Sequence, residues 1–461
     1  MASLNKVIEG NYCVGCGACA VAKSSPVTIA FDDEMRLQAR VTGEAPADLA
    51  KVCPFSGEGA NEDEIAAPLY GATAQHDAAI GWYDRIYAGY AQTGGFRKRG
   101  SSGGLAGWVA TRLIERGMID GVIHVRPDAH DERLFRYVIS RNADEIAEGS
   151  SSRYYPVEMS EAVRVAAEAP GRYLFVGLPC FVKAFRLLMA SDVRLQQSSF
   201  ITLGIVCGHL KSARFADTLA WEVGIEPGEL KSINFRVKLE GLDASSYGCR
   251  VSDGTHSVVR RKRGSAVGNW GLGFFKYGAC EMCDDVFAET ADISVGDAWI
   301  EPYYNDSNGN SLVVTRLPAV QTLIAEGIAD GSLNLDLLTP HQTVKSQASG
   351  VRYRRQGLAY RMLLKDRAGV WHPPKRVEAS EAGLSDSIKR RYQLRQEIAA
   401  ESHGVFKTAL KRRSIAPLRK QLAPLIAEHE RLSMGLRKRI VEGVKSALRP
   451  IYFRLFPPRP L

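Results

Sequence analysis

The sequence predicts an α/β (mixed α+β) fold with a small, separately organised N-terminal segment and a helical tail, on three observations. Strand and helix patterns alternate from about Ile86 onward. Four of the nine cysteines crowd into the first sixty residues, among Gly- and Pro-containing turns. The last part of the chain is helical in spacing and strongly basic. These shifts place domain boundaries at 1–65, 82–375 and 376–461.

Taken in order, residues 1–65 are expected to be ordered by a bound group more than by a core of their own, and 59–81 reads as a linker with little periodicity. Residues 94–104 read as a Gly- and Ser-rich loop. Leu105, Trp108, Val109, Arg112 and Leu113 then have helical spacing, ended by Gly117. Short apolar runs at 122–125, 173–176, 200–206 and 292–295 have strand length, with a helix over 181–189; residues 230–262 read as antiparallel strands around the turn Ser252-Asp253-Gly254-Thr255. From Ser380 the chain is helical and is interrupted at Pro417, Pro424 and Pro450.

Charge and cysteine usage narrow the function classes. Residues 375–461 hold twenty Lys and Arg against eight Asp and Glu, a surplus of +12, so the rest of a chain with net charge +9 carries about −3. No run of eighteen apolar residues suggests a membrane span, and the opening residues lack a secretory layout. Nine cysteines in such a chain read as thiols for metal or redox chemistry in the cytoplasm, not as a disulfide framework.

Cys13, Cys16 and Cys19 stand at two-residue spacing, joined later by Cys53 before Pro54. That triplet wraps one corner of a cubane and a remote Cys-Pro completes it, as in bacterial ferredoxins, so 1–65 reads as a ferredoxin-like 4Fe–4S domain. Zinc held by four thiolates is the competing reading, although structural zinc sites usually use separate two-cysteine knuckles. Cys180 and Cys207 each follow a predicted strand, where open α/β sheets place their ligand crevice, and Cys280 and Cys283 form a knuckle. These four are enough for a second cluster site, although Cys180 and Cys207 taken singly read as core residues, and Cys249 is left over as structural. Ser101, Ser102, Gly103 and Gly104 open a helix and can cradle a pyrophosphate, with a serine as the cap; the plainer reading is a capped turn. Gly296 and Asp297 end a strand, where the aspartate either contacts a ligand or is a solvated turn residue.

These motifs, with Gly149-Ser150-Ser151-Ser152-Arg153-Tyr154, Leu178-Pro179-Cys180, Cys207-Gly208 and Asp292 through Trp299, follow an order that resembles the coenzyme F420 hydrogenase/dehydrogenase beta-subunit family over roughly residues 10–360. Its members include deazaflavin-reducing subunits and plant 7-hydroxymethyl chlorophyll a reductase. The resemblance implies FAD, one or two 4Fe–4S clusters, and electron transfer with a deazaflavin or another unsaturated acceptor. It also implies flavin or substrate contacts at Ser152, Arg153 and Tyr154, where an extra serine and Arg153 replace the usual Gly-Ser-Lys-Tyr-like run. The leading expectation is therefore an oxidoreductase acting on a small organic substrate, with a ferredoxin-like protein as electron partner; the rival is a non-catalytic zinc scaffold. The tail, with 411–413, 437–439 and the apolar run 451–456, suits peripheral contact with an anionic membrane face or a partner protein. No motif supports nucleic-acid binding.

Overall fold

The apolar runs of the central region assemble into one eight-stranded sheet in a computed structural model, which describes residues 3–22, 24–72, 74–128 and 133–433. Its strands are β1 (Arg85–Ala91), β2 (Gly121–Pro127), β3 (Phe135–Ser140), β4 (Arg172–Gly177), β5 (Ser199–Ile205), β6 (Ile293–Asp297), β7 (Ser311–Thr315) and β8 (Leu333–Leu337), in the order β8-β1-β7-β6-β5-β4-β2-β3. The middle strands β6, β5, β4 and β2 are mutually parallel, with Tyr173 opposite Phe200 and Ile293 opposite Leu203. β7, β1 and β8 on one side and β3 on the other add antiparallel pairs. The fold is thus mixed α/β, as expected.

The parallel strands read as continuous apolar runs because both of their faces are covered. Successive side chains enter different cores: Leu174 packs with Trp108, Leu113 and Leu323, whereas Tyr173 and Phe175 pack with Phe181, Phe185 and the cysteine-bearing N-terminal segment. β1, β2, β4, β5 and β6 all end on the same edge of the sheet. Ser311, the first residue of β7, lies opposite Asp297 at that edge. The loops after β1, β4 and β5 therefore converge where an open sheet binds its ligands.

Residues 1–269 and 275–381 form one compact unit, so the N-terminal cysteine segment belongs to the same unit as the sheet. That segment folds around the hairpin Val27–Phe31/Leu37–Val41. A separate three-stranded antiparallel sheet, Ser232–Val237, Gly248–Ser252 and Ser257–Arg261, turns at Asp253, as the sequence predicts.

Two expectations are corrected. Residues 59–81 are not a linker: Glu62–Tyr70 is a helix, and Gln75–Asp77 pairs with Gly81–Tyr83. The helix start is a capping box, with Asn61 accepting from Asp63 N and Glu64 N while Glu64 reaches back to Asn61 N. Periodicity hides it because so short a helix buries just Glu62, Ala66 and Tyr70. The 94–104 loop also contains a helical turn, Phe96–Arg99.

The second unit holds 270–274 and the chain from 382. Asp386–Lys411 is a long helix whose Arg390 pairs with Glu397 (2.6 Å) and Glu428 (2.9 Å); Pro417 and Pro424 sit in the first turns of Ala416–Gln421 and Ala423–Ser433. The basic run 437–439, Pro450 and the 451–456 cluster lie outside the described residues. Among the described residues no helix is long and apolar enough to cross a membrane.

Candidate functional site

Eight of the nine cysteines fall into two groups of four, and the neighbours that shape each thiol define the groups. Burial pushes the Cys16 thiol up, and Cys53 and Cys13 add to this; burial likewise raises Cys19, with Cys16, Cys13 and Cys53 as contributing charges. Cys53 is pushed up to about 12, mainly by burial, with Cys13 adding to it. Cys13 is raised by burial against the backbone N–H groups of Ala39 and Gly15, both 3.3 Å from its sulfur. Gly17, at φ +85°, lets the triplet turn tightly: a Cβ there would stand 2.5 Å from Glu158 Oε2.

The second group comes together from three parts of the sheet edge. Cys180 enters the first turn of helix Pro179–Ser191, after β4, and burial raises its thiol, with Cys207, Cys283 and Cys280 as further causes. Cys207 follows β5, its N–H donating to Val286 O at 3.1 Å; burial raises its thiol, Arg354 lowers it, and Cys280 and Cys283 raise it again. Cys280, accepting from Leu210 N at 3.2 Å, is pushed up to about 11 by burial. The Cys280–Cys283 knuckle is locked by Glu281, whose carboxylate, although buried, is held at about 2 by Lys276 and Arg361. The two groups are neighbours, since Cys16 also acts on Cys180, and Tyr137 feels Cys180 and then Cys16. Cys249 stays apart: it lies on Gly248–Ser252 of the small sheet, and burial raises it to about 12 with Arg260 as its charged neighbour.

Such thiols ionise poorly by themselves, because burial disfavours the charged form. A positively charged iron or zinc centre would make thiolates of them. Among the described residues no three or more His, Cys, Asp or Glu side chains are set to hold one metal ion.

Arg354 was not apparent from the sequence. It is 3% exposed, its Nε lies 3.5 Å from Cys283 Sγ, and its Nη2 donates to Gly208 O at 2.6 Å. Lys375, its side chain also buried, stands 3.5 Å from Asp284, beside the knuckle.

The second constellation lies at the loop after β1. Ser101 Oγ accepts from Ser152 N at 2.7 Å and sits 3.0 Å from Ser151 Oγ; Ser102 Oγ donates to Asn310 O at 2.6 Å. Neither serine caps the helix Leu105–Glu115, contrary to the sequence reading: Gly104, at φ +83°, is the N-cap and no side chain caps the turn. The serines instead tie the loop to its neighbours. A Cβ on Gly103 would overlap the Gly89 carbonyl oxygen and approach Ser311 N to 2.7 Å, so this glycine is needed for packing on β1 and β7. Gly103→Ala is expected to lower stability by about 1–3 kcal/mol in denaturant unfolding; an unchanged midpoint would mean that the loop moves aside freely.

Around this loop the structure brings together Tyr154 and Asp297 with cations the sequence reading missed. Arg236 forms a two-point pair with Asp297 (3.0 and 3.0 Å), reaches Ser101 O at 3.2 Å and Tyr154 Oη at 3.4 Å, and stacks 4.3 Å from the Tyr247 ring centre. Lys238 donates to Ser102 O at 2.9 Å and also to Arg97 O. Burial, then Arg97 and Arg236, lower its pKa to about 8. Arg153 lies 4.9 Å over Phe135 and is lowered to about 10 by burial. Among the described residues the buried Nε atoms of Arg153 and Arg236 have no hydrogen-bond partner. Gly296, just before Asp297, has no room for a Cβ beside Val206. A polar cavity of about 190 Å³ is lined by Asp128, Arg133, Phe135, Arg136, Tyr137, Glu158 and Glu161. It is smaller than the ~300–1,000 Å³ usual for organic ligands.

Comparison with known proteins adds an independent line. Residues 86–164 match the family model for the coenzyme F420 hydrogenase/dehydrogenase beta subunit N-terminal part, and 171–341 match that for its C terminus. An uncharacterised protein of Methanocaldococcus jannaschii is 22% identical over 327 residues, spanning 65% of this chain and 84% of its own. One of the subunits of the F(420)H(2) dehydrogenase of Methanosarcina mazei is 23% identical over 317 residues, 64% of this chain and 79% of its own. A chain of the F420-reducing [NiFe] hydrogenase complex from Methanosarcina barkeri superposes with a TM-score of 0.49 at 14% identity, over 67% of this chain and 100% of that one. The matched segments include Cys180, Cys207, Cys280 and Cys283; Cys13, Cys16, Cys19 and Cys53 precede them.

Proposed function

Since this chain belongs to the coenzyme F420 hydrogenase/dehydrogenase beta-subunit family, a family of oxidoreductase subunits, we propose that it passes electrons between two cysteine-held 4Fe–4S clusters and FAD, to reduce or oxidise a small organic substrate or a deazaflavin-like carrier. The observation that carries this reading is the gathering of eight buried or half-buried cysteines into two adjacent groups of four.

The donor sets fit cubanes better than zinc. Four ligands on one zinc converge to about 3.8 Å between sulfurs, given its ~2.3 Å Zn–S bonds. A cubane instead spreads its four thiolates over four irons. The two-residue spacing of Cys13, Cys16 and Cys19 favours the second. The backbone N–H groups of Gly15, Ala39 and Leu210, directed at Cys13 and Cys280, favour the thiolate form at those sulfurs.

The cationic constellation fits the phosphate end of FAD. Arg236, Lys238 and Arg153 with the uncapped start of Leu105–Glu115 would hold it, and the orphaned guanidinium Nε atoms of Arg153 and Arg236 are donors suited to phosphate oxygens. FAD, when bound, supplies hydride chemistry and exchanges single electrons with the clusters. Asp297 holds Arg236 in place, and Ser101 with Ser152 fixes the loop beside it.

Anaerobically purified protein is expected to carry about eight irons and eight acid-labile sulfides per chain, and to release FAD on denaturation. Zinc in place of iron, or no flavin, would overturn the reading. Lys238 adds a pH signature: it is charged below about pH 8 and loses its proton above. FAD affinity should therefore weaken as pH rises through that value, by up to roughly tenfold from about pH 7 to 9. Lys238→Met should flatten the profile; an equally steep profile in that variant would assign the dependence to another group.

A further inference from the structure

We propose that Arg354 is the counter-ion of the second cysteine group and raises the reduction potential of the cluster held by Cys180, Cys207, Cys280 and Cys283; this rests on the two-cluster reading. Arg354 is 3% exposed, and among the described residues no carboxylate pairs with it. Its two polar contacts are Cys283 Sγ at 3.5 Å and Gly208 O at 2.6 Å, so it bridges the segments that carry Cys207 and Cys283. A buried guanidinium with no counter-charge is costly. The cysteine set becomes that counter-charge when its thiols are ionised on a cluster.

Of the other cations near the two groups, four already have a carboxylate, and Arg164, next to the first group, donates to the carbonyls of Ala20 and Val21. Beside the first group, Arg36 lies 2.8 Å from Asp32 and Lys183 lies 3.1 Å from Glu62. Beside the second, Lys276 pairs with Glu281, and Lys375 stands 3.5 Å from Asp284. Arg354, by contrast, directs its charge at a ligand sulfur. Each cluster gains one negative charge on reduction. A fixed cation with an N–H directed at a ligand sulfur stabilises that reduced form and raises the potential.

The test is a redox titration of the cluster-loaded protein, followed by electron paramagnetic resonance. Cys16→Ser protein, whose remaining signal belongs to the second cluster, fixes the assignment. In Arg354→Met the second cluster's reduced-to-oxidised ratio at a fixed potential should fall at least about tenfold, which is ~59 mV for a one-electron couple, while the other signal stays in place. Arg354→Lys keeps the charge without the fixed fork and should fall between. If neither signal moves, or both move together, or both variants lose the second cluster outright, Arg354 does not act through its charge and the inference is wrong. Wild-type protein with fewer than two signals and about four irons or none would instead refute the two-cluster reading, independently of Arg354.

Discussion

Cys16→Ser is expected to remove about four irons and four acid-labile sulfides per chain and to abolish electron transfer through the N-terminal site, leaving the second cluster's signal in place. Cys16 is 7% exposed, and Cys53, Cys13 and Glu158, all anionic when ionised, act on its thiol. A serine hydroxyl at the same position is a far weaker ligand than a thiolate, and those neighbours oppose its ionisation. Cys180→Ser, Cys207→Ser, Cys280→Ser and Cys283→Ser should each cause one shared phenotype, loss of the other cluster, because the four come from three separate segments yet act on one another's thiols. Cys249→Ser should lose no iron: its charged neighbour is Arg260, on the adjacent strand of the small sheet. Iron and sulfide assays with low-temperature resonance spectra decide this. Four unrelated phenotypes in the second group would return Cys180 and Cys207 to the core, and unchanged iron in Cys16→Ser would remove the N-terminal cluster.

The grouping of the cysteines was legible because their spacing and strand-end positions are local signals. Cys13, Cys16 and Cys19 reveal themselves locally, and Cys180 and Cys207 do so by following apolar strand runs, since the ends of parallel strands share one edge. The charged machinery was not legible. Arg236 and Lys238 lie at the end of an ordinary strand of a small antiparallel sheet, where a cation usually faces solvent; what buries Arg236 is Asp297, 61 residues further along the chain. Arg354 ends a short helix 71 residues after Cys283, and nothing in its neighbours 348–353 signals a buried position. The serine cap failed for another reason. Ser101 and Ser102 have the right chemistry to cap a helix, but Gly104 takes the N-cap geometry, which frees both hydroxyls for Ser152 and Asn310. The helix Glu62–Tyr70 announces itself through Asn61 and Glu64, a capping signal stronger than the faint periodicity of so short an element.

Replacing Arg236 by Met should be the most damaging single change outside the cysteines. Its side chain is 4% exposed and that of Asp297 is 25% exposed, so the substitution strands a largely buried carboxylate as well as the Ser101 carbonyl. Breaking a buried pair from one side costs about 3–5 kcal/mol, and the partial exposure of Asp297 places this case near about 3. FAD content should fall with stability, while iron content stays near wild type because neither cysteine group has a described contact with Arg236. Two further variants separate packing from binding. Arg236→Met combined with Asp297→Leu removes both charges and should recover most of the lost stability, yet it should still purify without flavin, since the phosphate-facing cation is gone. Arg236→Lys keeps a charge but cannot make the two-point contact, so it should bind FAD weakly. Denaturant unfolding and flavin released per chain are the readouts. If the double variant retained wild-type FAD, Arg236 would be a structural anchor for Asp297 alone, and the flavin site would have to be sought away from the Ser101 loop.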